Sequence, residues 1–378
     1  MIYLDYNATT PIDKEVAQFM MPFLTDYFGN PSSSHSFGTE TKKAIENARK
    51  QVAALLNCKP NEIIFTSGGT ESNNYAIKGY AFANEHRGNH IITSTIEHPA
   101  VTEVCKYLVT KGFEISFIPV DEFGIIDLKK LEESITSKTI LITVMHANNE
   151  IGTIQPISEI AKIARNHNIV FHTDAAQSVG KYKTDVQQLG VDMISVAGHK
   201  LYAPKGIGVL YIRDGIILEK LIHGADHEQN KRAGTENVLE IVGLGKACEI
   251  AKRDLTKNTN HLKQMRDLLH TNLLNKIPEI KLNGHPELRL PNTLNISFPG
   301  IEANTLLSQL ELKGIAASAG AACHTGSVMV SRVLQAINLN TKFAMGTIRF
   351  SVGKYSTEEE ITRASEIIIE VAKKLKTT

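Results

Sequence analysis

The sequence predicts an α/β fold, in which a mostly parallel β-sheet is covered by helices, together with a smaller α+β domain. Short apolar runs alternate with helix-like segments over the first two thirds of the chain, and this order is typical of parallel strands joined by helical crossovers. After about residue 255 the alternation becomes less regular. With 378 residues, the chain is long enough for two hydrophobic cores.

Seven apolar runs are the candidate strands of the large sheet. They are residues 62–66, 91–93, 113–120, 139–145, 169–173, 193–196 and 208–213. Helical spacing of apolar residues over 42–56 predicts a helix just before the first strand. In open sheets of this kind, ligands bind at the carboxyl ends of the strands, so we expect the functional residues there.

A long helical pattern over about 244–274 leads into the smaller domain. Strand-like runs at 293–298 and 348–352 alternate there with helix-like segments near 304–312 and 357–374. We therefore expect a large, ligand-binding domain of residues 14–255. Residues 1–13 and 256–378 are expected to form the small domain.

The composition favours a small-molecule partner. Lys and Arg (41) nearly balance Asp and Glu (40), so the formal charge of +1 gives no basic surface for nucleic acid or an anionic membrane. The chain has no apolar run of membrane-spanning length, and its first residues lack the pattern of a signal peptide. We expect a cytoplasmic protein with neither a nucleic-acid nor a membrane partner.

The four cysteines are scattered without CxxC spacing, which argues against a disulfide framework and a metal site. Cys58, Cys105 and Cys248 lie in helix-like contexts where a thiol packs as a small apolar group. Cys323 differs, because it follows the small residues of segment 318–322. Small side chains are expected where a reactive cysteine must move.

Three motifs supply polar groups at strand ends. Segment 66–72 (TSGGTES) follows a strand and opens a helix, so Gly69 and Thr70 are candidates for binding a phosphate, although such turns are also common as simple helix caps. Asp174 follows the run 169–173 and either faces a ligand or caps the next helix. Lys200 follows Gly-His after the strand at 193–196, where it can form a Schiff base or be a solvated loop residue.

Together with the Asn148-Asn149 pair, this set matches the needs of pyridoxal phosphate (PLP). That cofactor requires a lysine for its aldehyde, an acid for its pyridinium nitrogen, and donors for its phosphate and phenolic oxygen.

The chain resembles the group I cysteine desulfurases, a family of fold-type I PLP transferases, over nearly its whole length. The matching segments are 4–11 (LDYNATTP), 30–33 (NPSS), 66–73 (TSGGTESN), 148–152 (NNEIG), 198–200 (GHK), 232–235 (RAGT) and 321–323 (AAC). The resemblance implies conversion of L-cysteine to L-alanine, with transfer of sulfur to Cys323 as a persulfide. It also implies delivery of that sulfur to an acceptor protein, for iron-sulfur cluster assembly or thio-modification.

The resemblance also implies a role for each site residue. Lys200 holds the cofactor and acts as the base, Cys323 receives the sulfur, and His98 stacks on the ring and relays a proton. The residues implied in cofactor binding are Gly69, Thr70, His98, Asn149, Asp174, Gln177, His199, Lys200 and Thr235. Thr235 reaches across from the second subunit of a homodimer. Asn149 and Arg349 bind the substrate, whose carboxylate the planar guanidinium matches.

Three features of the sequence differ from the usual pattern of this family and leave alternative interpretations open. Ala197 stands where the family usually has a serine that contacts phosphate. His324 follows Cys323, and segment 320–324 resembles selenocysteine lyases equally well, so selenocysteine is an alternative substrate. The chain also ends at Thr378, soon after its last helix, so the sequence leaves open whether it docks to an iron-sulfur scaffold.

Two other classes of function are less favoured. A PLP aminotransferase would share the lysine, Asp174 and Arg349 but has no use for a mobile Cys323. A binding protein without catalysis would not need the nearly complete set of cofactor contacts.

Overall fold

The fold is described here from a computed structural model, which covers residues 1–319, 321–324 and 327–376, with the backbone alone at 321–324 and 327–329. The strands are β1 (Ile2–Tyr3), β2 (Ile63–Thr66), β3 (His90–Ser94), β4 (Glu114–Ile118), β5 (Thr139–Thr143), β6 (Val170–Asp174), β7 (Met193–Ala197), β8 (Gly208–Ile212), β9 (Lys281–Asn283), β10 (Thr293–Ser297), β11 (Ile315–Ala316), β12 (Ser318–Ala319), β13 (Ala321–His324), β14 (Ser327–Val330) and β15 (Thr347–Ser351). The helices are α1 (Lys14–Met20), α2 (Pro22–Thr25), α3 (Ser36–Leu56), α4 (Gly69–Asn74), α5 (Tyr80–Ala83), α6 (Pro99–Val109), α7 (Leu128–Glu133), α8 (Ile157–Asn166), α9 (Val186–Leu189), α10 (Val238–Lys276), α11 (Ala303–Leu312), α12 (Arg332–Ala336), α13 (Thr341–Ala344) and α14 (Glu358–Lys376).

The large sheet has seven strands in the order β2-β8-β7-β6-β5-β3-β4. Strand β8 runs antiparallel to both of its neighbours, and the other pairs are parallel. Most of these strands are buried along their whole length, as expected for a sheet with helices on both faces. The predicted α/β fold and the mostly parallel seven-stranded sheet are therefore confirmed.

Helix boundaries follow local chemistry. Helix α3 begins where His35 Nδ1 accepts a hydrogen bond from the backbone of Gly38, and it ends at Asn57 in a left-handed conformation with φ 57°. Asparagine tolerates that conformation better than most residues. Helix α6 begins at a proline, and His98 caps it, so this cap places the histidine at the edge of the sheet.

Two hydrophobic clusters divide the apolar side chains of α10. Residues up to Ala251 pack into the cluster around the large sheet, and those from Leu262 pack into a second cluster with Leu4 and Phe350. The second cluster packs against one face of the four-stranded sheet β12-β15-β10-β9. This division supports the domain limits expected at residues 13 and 255, which stay a prediction, and the boundary falls inside one continuous helix. Several residues of 333–344 nevertheless pack into the first cluster.

Several short elements were not predicted. Strand β1 pairs in parallel with β11, and β13 pairs with β14 as a hairpin. Residues 75–79 form a π-helical turn between α4 and α5. In the described ranges, no helix combines the length and apolar composition that would cross a membrane.

Candidate active site

A cavity of about 400 Å³ opens at the carboxyl edge of the large sheet. The segments that follow β2, β3, β5, β6 and β7 meet there because these strands point in the same direction. The lining includes most of the predicted site residues, namely Gly69, Thr70, His98, Asn149, Asp174, Gln177, His199, Lys200 and Arg349. The predicted site residues therefore meet at the edge of the sheet where ligands are expected.

The Lys200 amine lies in this cavity, against the N-terminal segment of the chain. Its Nζ donates to the carbonyl oxygens of Asn7 at 2.5 Å and Ala8 at 2.7 Å. Burial and the positive charge of Arg349 lower the Lys200 pKa to about 8, although the carboxylates of Asp5 and Asp174 oppose the shift. The amine is therefore far easier to deprotonate than a solvated lysine, as a nucleophile or base requires.

The buried carboxylate of Asp174 is held in place from two sides. Its Oδ2 accepts a hydrogen bond from Asn73 Nδ2 at 2.7 Å, and its Oδ1 accepts from the backbone of Ala176 at 2.9 Å. A carboxylate has about four acceptor positions, so two donors leave about two of them free. A protonated ring nitrogen in the cavity fits one of these positions.

The start of α4 forms another wall of the cavity. Gly68, with φ 151°, precedes Gly69 and Thr70, and the Thr70 side chain is exposed. A Cβ at Gly69 would lie 3.2 Å from the Cβ of Ala197, so the glycine lets the backbone approach β7 closely. Backbone N–H groups at a helix start suit a phosphate, while Ala197 contributes no donor there.

His98 and His199 lie on the cavity wall as neutral rings. His98 Nδ1 accepts from the backbone of Ala100 at 3.1 Å, so a neutral ring carries its proton on Nε2. Desolvation lowers the His98 pKa, and burial together with Lys200 lowers that of His199 to about 4. Both rings can therefore serve near neutral pH as uncharged stacking or hydrogen-bonding groups.

The guanidinium of Arg349 reaches the cavity from β15. Its Nη1 donates to the carbonyl oxygen of Asn149 at 3.0 Å, and its Nη2 pairs with Asp5 at 2.8 Å. Its Nε is buried and has no hydrogen-bond partner among the described residues. Each Nη nitrogen carries two N–H groups, so one N–H on each is left for the oxygens of an incoming carboxylate.

Two predicted residues lie apart from this set. Thr235 is exposed and lines a different pocket, of about 210 Å³, together with Ser67 and Arg232. The side chain of Cys323 lies outside the part of the chain that the structure describes. The backbone of Cys323 pairs with Val328 in the β13–β14 hairpin.

Sequence reasoning missed four residues that shape the cavity. Asn7 contacts Lys200 through its backbone carbonyl, and a backbone contact leaves no signature in residue type. Asn73 holds Asp174, Asp5 pairs with Arg349, and Lys181 contacts Gln177. Asp5, Asn7 and Asn73 stand inside motifs that carry the family resemblance, which was the available signal for them.

Comparisons with known proteins agree over the full length of the chain. The family described as aminotransferase class-V matches residues 2–364. The cysteine desulfurase IscS of Dictyoglomus turgidum is 50% identical over 376 residues, covering 100% of this chain and 95% of that protein. The IscS of Methanosarcina thermophila is 48% identical, covering 99% of this chain and 93% of that protein.

Solved structures of similar proteins also match nearly the whole chain. A protein described as NifS-like matches with a TM-score of 0.94 and 40% identity, covering 99% of this chain and 100% of that one. SspA in complex with cysteine matches with a TM-score of 0.84 and 38% identity, covering 94% of this chain and 100% of that one.

Proposed function

The chain belongs to the class-V aminotransferase family, and from that membership we infer which of its residues perform the chemistry of a PLP-dependent cysteine desulfurase. The resemblance drawn from the motifs is confirmed at the level of family, fold, cofactor and enzyme class. The roles of single residues are our proposal. One observation carries it: the Lys200 amine and the Asp174 carboxylate line a single cavity with Arg349.

The residues of the cavity fit PLP at each of its polar groups. Asp174 would accept from the ring nitrogen, Gln177 and Asn149 would contact the phenolic oxygen, and His98 would stack on the ring. The start of α4, with Thr70 and His199, would hold the phosphate. When bound, the cofactor supplies an electron sink for a carbanion at Cα of the amino acid.

Lys200 then has two successive tasks. Its amine would hold the cofactor, and after the substrate amine has displaced it, the same amine would take the proton from Cα. The lowered pKa of about 8 leaves a useful share of the amine neutral near physiological pH. Arg349 orients the substrate by binding its carboxylate through the second N–H groups of its Nη nitrogens.

Cys323 acts on the substrate sulfur. Its thiolate attacks that atom, the carbon–sulfur bond breaks, and the sulfur remains on Cys323 as a persulfide while the carbon fragment becomes alanine. The other three thiols are poor candidates, because burial raises the pKa of Cys58, Cys105 and Cys248 to about 12. An acceptor protein then removes the sulfur, for cluster assembly or thio-modification.

We propose that the enzyme is a homodimer in the cytoplasm, with Thr235 of each chain completing the phosphate site of the other. Thr235 is exposed, and it lines a pocket separate from the cavity of its own chain. Six apolar side chains of segment 19–37 are exposed, namely Phe19, Met21, Leu24, Tyr27, Phe28 and Phe37. Ser32, in the same segment, contacts His227 beside the Thr235 pocket at 3.4 Å. Burial of exposed apolar side chains favours association.

A direct assay tests the proposed function. Purified protein with added PLP is expected to gain an absorption band near the visible edge, to form alanine from L-cysteine, and to carry a persulfide on Cys323. The Lys200→Ala variant should lose both the band and alanine formation. Lys205→Ala, which removes an exposed lysine from the same loop, should keep them. Pyruvate-dependent amino transfer without sulfur release would instead identify an aminotransferase.

A further inference from the structure

Lys181 places an amine inside the protein, immediately behind the wall of the cofactor cavity. Its side chain is 3% exposed, and its Nζ donates to Gln177 Oε1 at 3.1 Å. Among the described residues, no carboxylate forms an ion pair with it. A buried amine without a carboxylate partner is unusual, because a lone charge in the interior is costly.

The surroundings of Lys181 favour its neutral form. Burial, followed by the positive charges of Lys200 and Arg349, lowers its pKa to about 7. Asp13 and Lys354 line a small cavity of about 20 Å³ beside it, and these two groups are already paired with each other. An apolar residue of similar length would stabilise the fold at least as well, so stability does not explain the lysine.

The contact with Gln177 decides which way that amide points. A lysine amine in either charge state can donate to Oε1, so the oxygen faces Lys181 and the Nε2 group faces the other way. Nε2 donates to the carbonyl oxygen of Asn7 at 3.0 Å, the same oxygen that accepts from Lys200. An amide nitrogen has two N–H groups, and Gln177 lines the cofactor cavity, so its second N–H is available there.

We propose that Lys181 is a positioning residue, which fixes the Gln177 amide so that an N–H group faces the phenolic oxygen of the cofactor. The inference rests on the proposed function, in which Gln177 contacts that oxygen. A fixed donor stabilises negative charge on the oxygen, and this favours loss of the proton from the nitrogen that joins Lys200 to the cofactor.

The pH titration of the bound cofactor's visible band tests this role without any turnover. Lys181→Met removes the donor that fixes the Gln177 amide, so the midpoint should rise, by about half a pH unit or more. Gln177→Ala should also raise it. In the Gln177→Ala background, adding Lys181→Met should produce no further shift, because the lysine acts through the amide.

Each result of the titrations of the two single variants and the double variant either supports or overturns the proposal. An unchanged midpoint in Lys181→Met overturns the proposal, and so does a shift of equal size in the Gln177→Ala background, which would mean that Lys181 acts through charge or packing alone. The absence of a visible band in the wild type would instead count against the proposed function. The two failures are therefore distinguishable.

Thermal unfolding of the cofactor-free protein is the control for folding. Lys181→Met should melt at the wild-type temperature or above it, since it removes an unpaired buried amine. Should this variant not fold, Lys181→Arg and Gln177→Ala carry the test. Lys181→Arg keeps a donor and should titrate near the wild type. A Gln177→Ala midpoint equal to that of the wild type would overturn the proposal.

Discussion

The carboxylate of Asp5 lies 2.8 Å from Nη2 of Arg349 and joins the N-terminal segment to the middle of β15. The second oxygen of Asp5 accepts from Ser318 Oγ at 2.8 Å. With the Asn149 carbonyl on Nη1, two acceptors hold the plane of the guanidinium. The arginine is thus oriented before any substrate arrives.

Arg349→Lys should raise the KM for L-cysteine by roughly tenfold or more, with a smaller effect on kcat. A lysine has a single nitrogen, which cannot reproduce the planar fork that contacts Asp5, Asn149 and the substrate together. Steady-state kinetics measures the change. Arg213→Lys, at a partly exposed ion pair with Asp192, is the matched control and should leave KM unaltered. Equal KM values for Arg349→Lys and the wild type would remove Arg349 from the substrate site.

The rate at which the cofactor-free protein binds PLP covalently should rise with pH, with a midpoint near pH 8. Only the neutral amine attacks the aldehyde, and the pKa of Lys200 is lowered to about 8, so about a tenth of it is neutral at pH 7. Stopped-flow absorbance measures the rate. A rate that still climbs steeply above pH 10 would mean that Lys200 titrates as an ordinary solvated lysine.

Ala197→Ser should bind PLP about three- to tenfold more tightly, which is the gain expected from one additional hydrogen bond. The new hydroxyl would stand beside Gly69 at the start of α4, where Ala197 now offers no donor. Equilibrium dialysis measures the affinity. Ala147→Ser, which adds a hydroxyl elsewhere on the cavity wall, is the control. Tighter binding in both variants would show that the position of the hydroxyl is unimportant.

Cys323→Ala should abolish sulfur release from cysteine yet keep much of the activity on selenocysteine. A thiolate leaves poorly, so attack by Cys323 is needed to break the carbon–sulfur bond, whereas a selenol is more acidic and its bond to carbon is weaker. Alanine is measured with both substrates. Cys248→Ala, at a buried thiol, should retain both activities. If the wild type turns over selenocysteine but is inhibited by cysteine, the enzyme is a selenocysteine lyase.

Mixing the inactive Lys200→Ala and Thr235→Ala proteins should restore activity after subunit exchange. If Thr235 serves the neighbouring chain, each heterodimer has one doubly altered site and one site with both residues intact. The recovered activity should approach half of the wild-type value per heterodimer, because one of its two sites is intact. If both parents are impaired and exchange restores nothing, the two residues serve the same chain.

The seven strands of the large sheet were predictable because each is a short apolar run with a polar segment after it. Their predicted positions agree with β2 to β8 to within a few residues. The cavity residues in segments 66–73, 148–152 and 198–200 were predictable for a related reason. A parallel sheet brings the carboxyl ends of its strands to one edge, so Thr70, Asn149 and Lys200 meet despite their separation along the chain.

Only the tertiary structure decided the contacts that depend on backbone atoms and on long-range packing. The carbonyl oxygen of Asn7 accepts hydrogen bonds from the side chains of both Lys200 and Gln177. No property of an asparagine side chain predicts these contacts. Helix α10 runs unbroken through residue 255, because one long helix can present different segments to two cores.

The sequence by itself therefore determined the fold class, the family and the chemical groups that line the cavity, since these depend on local patterns and residue types. Only the three-dimensional packing decided the pKa values and the partners of those groups. The low pKa of Lys200, the buried amine of Lys181 behind Gln177, and the pairing of Asp5 with Arg349 arise from burial and from neighbours distant in sequence. Burial and proximity set electrostatic energies, and neither can be read from the order of residues.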